Sequence, residues 1–442
     1  MAALEKKWRN IMFQRVDEII GLFNVFSPFP LVKKEALDEF FVNTYEARGT
    51  NAIERISMAL LYAKNPYMKI LFMGHRGSGK TTELSLLSDK ISQEFEVISF
   101  RIEDEIDAGT MTYIDFIFAI TSQLVKYLDS NKKIKIKTAD IEALYDYWDK
   151  EKIVEETENA ALEGTSEFEA KLSILKSILL KCGGILKTGA ETKITVRKKI
   201  EPKVGFLIQL LNNLIAKIDE QLVDVEKKRL IFIIEDLDKL DSGTARGLFV
   251  DYRKVIFSIQ ARMILTFPIF MAYDENYNMI KEDVDMCQML SIIKVVHKDK
   301  NKYEKGIDTL KEIVFKRADS KLFSSEALEF MIMKSGGAIR DLFQMISEAA
   351  YEALVNKHTC LELSDAQCAY RRLKSEYERI IRTEEDVKKL VTVYRDPRSL
   401  TSDNTLMSLL RRGAVIEYNG ERWCGIHPAV EDFLKEKGVI SD

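Results

Sequence analysis

Apolar positions along this chain follow two different spacings. Short, nearly unbroken apolar runs occur at residues 69–73, 96–102, 229–235 and 263–267. Their length and lack of alternation predict strands buried on both faces. Between them, apolar residues recur every three or four positions, through about residue 90, at 113–128, at 205–223 and at 245–259. That spacing predicts amphipathic helices. Strands alternating with helices predict an α/β fold, a parallel sheet covered on both sides, with a last strand at 291–296. Residues 1–66 read as helices around a turn at Ser27-Pro28-Phe29-Pro30.

Outside this alternation the pattern changes three times. Residues 131–228 read as an insertion in the core. Its segments 133–137 and 193–198 alternate like strands and flank helices at 140–161 and 167–181, with a break at Gly183-Gly184. Residues 303–383 read as helical, interrupted at Ser335-Gly336-Gly337 before a long helix at 339–354. Residues 384–442 read as two helices and then two strands joined by Asn419-Gly420, a strong hairpin signal and winged-helix order. The expected organisation is therefore N-terminal helices and core over 1–302, a helical lid over 303–383, and a winged-helix domain over 384–442.

The run at 69–73 leads into Gly74-His-Arg-Gly-Ser-Gly79-Lys80-Thr81, the GxxxxGKT phosphate-binding spacing between a strand and a helix. Gly74, Gly77 and Gly79 let backbone N–H groups turn toward phosphate oxygens, joined by those of Ser78 and Thr82. Lys80 supplies charge for the β- and γ-phosphates, and the Thr81 hydroxyl can ligate Mg²⁺. The helix opening at Lys80 points its positive end at the same anion. Expected cofactors are ATP or ADP with Mg²⁺. The strand at 229–235 ends in Glu235-Asp236, with Asp238 behind, where one carboxylate would hold the metal and another polarise water. Thr266 ends the next strand and could orient that water. Arg340, just after Ser335-Gly-Gly337, could reach the γ-phosphate from the lid.

Composition narrows the alternatives. A net charge of −4 gives no global field for nucleic acid, so such contact must be local. Residues 384–442 carry nine Lys plus Arg against eleven Asp plus Glu, an unfavourable balance for a DNA-binding winged helix. The lysines at 132–137 and 193–199 are better placed, either along a nucleic-acid backbone or as protection for an edge strand. Five cysteines without a CxxC pair, and a charged N-terminal stretch with no membrane-span pattern, fit a cytoplasmic protein with reduced thiols.

Together GHRGSGKT, IFIIEDLDKL, ILTFP, SGGAIRDL and the final hairpin resemble the AAA+ ATPases, in particular replication-initiator-like and signal-transducing (STAND) ATPases. The resemblance covers about residues 40–130 and 229–442 and implies Walker A at Lys80 and Thr81. It further implies Walker B at Glu235 and Asp236, sensor 1 at Thr266 and sensor 2 at Arg340. Where those families have Asp then Glu, this chain has Glu235 then Asp236, which leaves the catalytic base open. The resemblance also implies oligomers with an arginine finger, for which Arg253 and Arg262 are candidates. His427-Pro428 resembles the winged-helix histidine that contacts bound ADP; a locally satisfied histidine is the alternative. The expected function is a nucleotide-driven switch controlling a separate protein effector, in a homo-oligomer or hetero-complex, of the kind found in bacterial anti-phage defence modules. A DNA-binding loader and a non-hydrolysing scaffold are its rivals.

Overall fold

The computed structural model describes residues 14–131, 133–150, 167–188, 190–398, 401–418 and 423–441. Five strands, β1 (Lys69–Met73), β2 (Phe95–Arg101), β3 (Arg229–Glu235), β4 (Arg262–Phe267) and β5 (Met286–Met289), form one parallel sheet in the order β2-β3-β4-β1-β5. The α/β expectation holds. Period-two side-chain direction sorts the apolar runs onto two faces. Leu230, Phe232 and Ile234 face one helical layer, while Ile231 and Ile233 face helices Ala52–Tyr62 and Lys80–Ile91. Because β4 lies between β1 and β3, the C-terminal ends of all three strands lie side by side. The phosphate loop, Glu235-Asp236 and Thr266 follow or end these strands, so one sheet edge collects them.

Three sequence expectations need correction. The last strand lies at Met286–Met289, not 291–296. Ile292, Ile293 and Val295 are buried, but the carbonyls of this segment serve other elements. That of Ser291 accepts from Arg48, and those of Ile293 and Lys294 lie where a Cβ on Gly337 or Gly306 would collide. Second, the segment around 193–198 is part of a helix, Ala190–Ile200. Its buried Val196 and Ile200 are four apart, and Lys193 and Arg197 pair with Asp107 and Asp115. Residues 133–137 are in no strand; Ile134 and Ile136 are buried and Lys133 pairs with Glu226. The expected basic ribbon is absent among the described residues, and lysine 132 lies outside them. Third, Gly183-Gly184 lies within helix Glu167–Thr188, where a Cβ on Gly183 would reach 3.6 Å from the Phe118 ring. The insertion is thus a helical layer sharing the core of Tyr113–Ser130.

Helices Glu304–Arg317, Ser325–Lys334, Ile339–Val355 and Leu363–Ile380 build a second core. Helix Ile19–Val25 belongs to it: Leu22 and Phe26 are fully buried there, with Phe26 edge-on to Phe343 at 5.2 Å. The last elements are helices Glu384–Arg395 and Asn404–Arg412, an antiparallel pair β6 (Val415–Tyr418) and β7 (Trp423–Ile426), and helix Pro428–Glu436. The Asn419-Gly420 turn lies outside the described residues. No helix among the described residues is long and apolar enough to cross a membrane.

Candidate nucleotide site

The phosphate loop is held by contacts from both sides. Gly77 and Gly79 have φ of 83° and 95°, left-handed values that glycine adopts at least cost. Space is as restrictive as torsion: a Cβ on Gly74 would fall 2.4 Å from the Leu290 carbonyl oxygen, and one on Gly77 2.8 Å from the Arg340 Cβ. Lys80 Nζ donates to the carbonyls of Gly74 (2.7 Å) and His75 (3.0 Å) and pairs with Asp238 at 2.9 Å. Thr82 accepts from the Leu31 amide at 3.1 Å, tying the loop helix to the N-terminal segment. Ser78 Oγ is buried without a partner among the described residues.

Two residues that sequence reasoning passed over support the loop. Arg48 is buried and donates to the carbonyls of Ser78 (2.7 Å) and Ser291 and to Thr44 Oγ1 (2.7 Å). Burial lowers its guanidinium to about 10. His75, within the loop, accepts through Nε2 from the Glu417 amide of β6 at 2.7 Å. Burial, reinforced by the Lys80 charge, pushes its imidazole down to about 3, so it stays a neutral acceptor. Only the tertiary structure brings Glu417 to His75, and no local motif signals it.

The acidic turn answers which carboxylate stands where. Glu235 ends β3 with its side chain beside Thr81; it is buried, and its Oε2 has no partner among the described residues. Desolvation, aided by Asp236 and Asp238, raises its carboxyl to about 7, against the lowering effect of the Thr81 hydroxyl. An orphaned carboxylate oxygen next to the loop threonine is a donor set that fits Mg²⁺. Asp236 takes φ 70° and turns elsewhere, held by Arg101 Nε at 2.7 Å and Lys239 Nζ at 2.8 Å. Thr266 Oγ1 accepts from the Leu237 amide at 3.0 Å, which fixes that turn against β4.

Arg340 is brought to the loop from the first turn of helix Ile339–Val355, half-buried against Gly77. Desolvation and then the nearby Arg76 lower its guanidinium. His427 is fully buried and caps helix Pro428–Glu436, with Nδ1 accepting from the Ala429 amide at 3.1 Å. Its Nε2 lies 3.2 Å from Asp341 but forms no hydrogen bond among the described residues, and its ring stacks on Tyr377 at 4.0 Å. Of the finger candidates, Arg262 is buried at the N-terminal end of β4, the sheet edge opposite the phosphate loop, and contacts Asp219. Arg253 pairs with Asp283 at 2.9 Å. Arg262 is therefore not presented to a neighbouring molecule.

The loop, Glu235, Asp236, Thr266 and Arg340 line one cleft of about 620 Å³. Its lining also includes the apolar residues Pro28, Phe29, Leu31, Val42, Ile313 and Phe343. A phosphate loop and apolar side chains in one cleft suit a nucleotide. Arg317 also lines it, buried between Phe40 and Phe343, with backbone carbonyls of Phe40 and Ile313 as acceptors.

The KAP family P-loop domain matches residues 50–281, more than half of the chain. The chain belongs to the KAP family of P-loop NTPases. The matched stretch runs from helix Ala52–Tyr62 past β4 and contains the loop, the acidic turn and the helical insertion. Among solved structures, the chain is similar to Cdc6p from Pyrobaculum aerophilum, at 11% identity, covering 93% of this chain and 98% of that one, with a TM-score of 0.40. It is similar also to the ORC2 protein of Aeropyrum pernix (10% identity, 92% and 99% covered, TM-score 0.41). A third is the Walker-type ATPase paby2304 of Pyrococcus abyssi (14%, 93% and 99%, TM-score 0.43). No curated protein matches the chain.

Proposed function

We propose that this KAP-family protein is a Mg²⁺-dependent ATPase that works as a conformational switch for a separate protein partner. The observation that carries the reading is the bond from the Glu417 amide to His75, which joins the phosphate loop to the C-terminal hairpin. A loop that rearranges around phosphate must carry or break that contact. The hairpin also reaches the lid, since Tyr418 donates to the Gly336 carbonyl at 3.0 Å, four residues before Arg340. In this reading Lys80 exchanges Asp238 for phosphate oxygens, and Thr81 with Glu235 holds the metal, whose chemistry is charge neutralisation at the phosphates. Asp236 is the water-polarising base once Arg101 and Lys239 release it. Arg340 reports the γ-phosphate to the lid, and residues 384–442 act as a winged helix whose His427 stays inside as part of the latch. The effector role, the oligomeric assembly and a place in anti-phage defence belong to the same proposal and rest on the resemblance alone, while the cytoplasmic setting, also part of it, rests on the cysteine pattern and the charged N-terminal stretch.

Two measurements test it. Steady-state ATP hydrolysis by wild type and Lys80→Ala, with and without duplex and single-stranded DNA, should give weak turnover that DNA does not change and the variant lacks. DNA-stimulated turnover would instead support a loader. Amide exchange of Val415–Tyr418 should rise when ATP and Mg²⁺ are added to wild type but not to Lys80→Ala. An unchanged exchange rate would remove the switch.

A further inference from the structure

A second cleft, of about 930 Å³, opens between the phosphate loop, the lid helices Ile339–Val355 and Leu363–Ile380, and helices Glu384–Arg395 and Asn404–Arg412. It borders the nucleotide cleft through Arg76 and Arg340 but contains none of Lys80, Thr81 and Glu235. Its charges are unevenly satisfied. Each carboxylate in its wall already has a donor: Asp238 has Lys80, Asp341 has Tyr377, Glu376 has Gln344 and Asp386 has Arg412. The side chains of Arg76, Arg340, Arg382 and Arg411, by contrast, have no hydrogen-bond or ion-pair partner among the described residues. Arg340 is half-buried and feels the Arg76 charge, while Arg76, Arg382 and Arg411 are exposed to solvent; an oligophosphate would supply all four guanidinium groups with an acceptor.

We propose that this cleft is a second anion site, which takes a compact phosphate-bearing ligand of about nucleotide size. Its volume falls in the ordinary range for small-ligand sites, roughly 300–1,000 Å³. The arginines converge on a cavity; a duplex would call for a basic stripe, and residues 384–442 are net acidic. The inference is independent of the switch. It requires only that phosphate binds here without Lys80.

Inorganic tripolyphosphate, titrated calorimetrically without Mg²⁺, should bind wild type at two sites per chain. Lys80→Ala should keep one site, and Arg382→Glu with Arg411→Glu should keep the other. The neutral pair Arg382→Gln and Arg411→Gln, which is gentler on the fold, should weaken the second site about tenfold or more. A single wild-type site, or two sites unchanged by the arginine variants, would overturn the proposal. Two sites surviving in Lys80→Ala but not in the arginine variants would support it while removing the phosphate-loop reading. A labelled single-stranded oligonucleotide that binds through Arg382 and Arg411 where tripolyphosphate does not would overturn the compact ligand in favour of nucleic acid.

Discussion

Replacing Glu235 with Gln should have opposite effects on the free and the nucleotide-loaded protein. Its carboxyl is raised from 4.5 to about 7, chiefly by burial, so the folded chain holds a proton there that the unfolded chain has lost. Stability from this group is fully present below pH 4.5 and disappears as pH rises through 7. At 1.36 kcal/mol per pKa unit, ionising Glu235 costs the free wild type about 3 kcal/mol at pH 8 and under about 1 kcal/mol at pH 5. Gln keeps the shape without the charge, so Glu235→Gln should be the more stable protein at pH 8. With roughly 2.1 cal/mol/K of unfolding entropy per residue, the difference is about 3–4 °C in Tm if the chain unfolds as one unit. Adding ATP and Mg²⁺ should reverse the ranking, because a metal repays the cost only when the carboxylate is ionised. The assay is differential scanning fluorimetry from pH 5 to pH 8, with and without ATP·Mg²⁺. A variant equal to or below wild type in the free state at pH 8, or one that gains as much from ATP·Mg²⁺, would refute the assignment of Glu235 to the metal.

Three other outcomes follow from the geometry. Gly77→Ala adds a left-handed residue, at about 1–2 kcal/mol, and a Cβ against Arg340; titration with a fluorescent ATP analogue should show at least tenfold weaker binding with little change in the fold. Asp236→Asn should keep nucleotide affinity within about threefold while hydrolysis falls 100-fold or more, as expected on losing a general base; phosphate release measures the second and equilibrium binding the first. His75→Ala leaves the Glu417 amide buried without its acceptor, at about 1–3 kcal/mol. Limited proteolysis should then cut the hairpin region faster in the variant, with or without nucleotide.

Much of the candidate site was legible in the sequence because its parts are local. GxxxxGKT binds phosphate through consecutive backbone groups, and an apolar strand ending in acids declares a buried strand with a functional tip. The spacing of residues 291–296 and 193–198 misled for one reason: short apolar alternation measures burial, and burial comes from whatever packs there. At 291–296 it came from Arg48 and the second helical core, and at 193–198 from a helix seated on Tyr113–Ser130.

By itself, then, the sequence determined an α/β core, its phosphate loop and an acidic strand tip at Glu235 and Asp236, since each is carried by one contiguous stretch. Only the tertiary structure decided their division of labour. It set Glu235 beside Thr81 and turned Asp236 toward Arg101 and Lys239. It also brought His75 and Glu417, 342 residues apart, into one hydrogen bond, and gathered four arginines from three regions around a single cavity. Contacts of that kind depend on how layers pack, and layer packing sums many weak apolar contacts that no local spacing records.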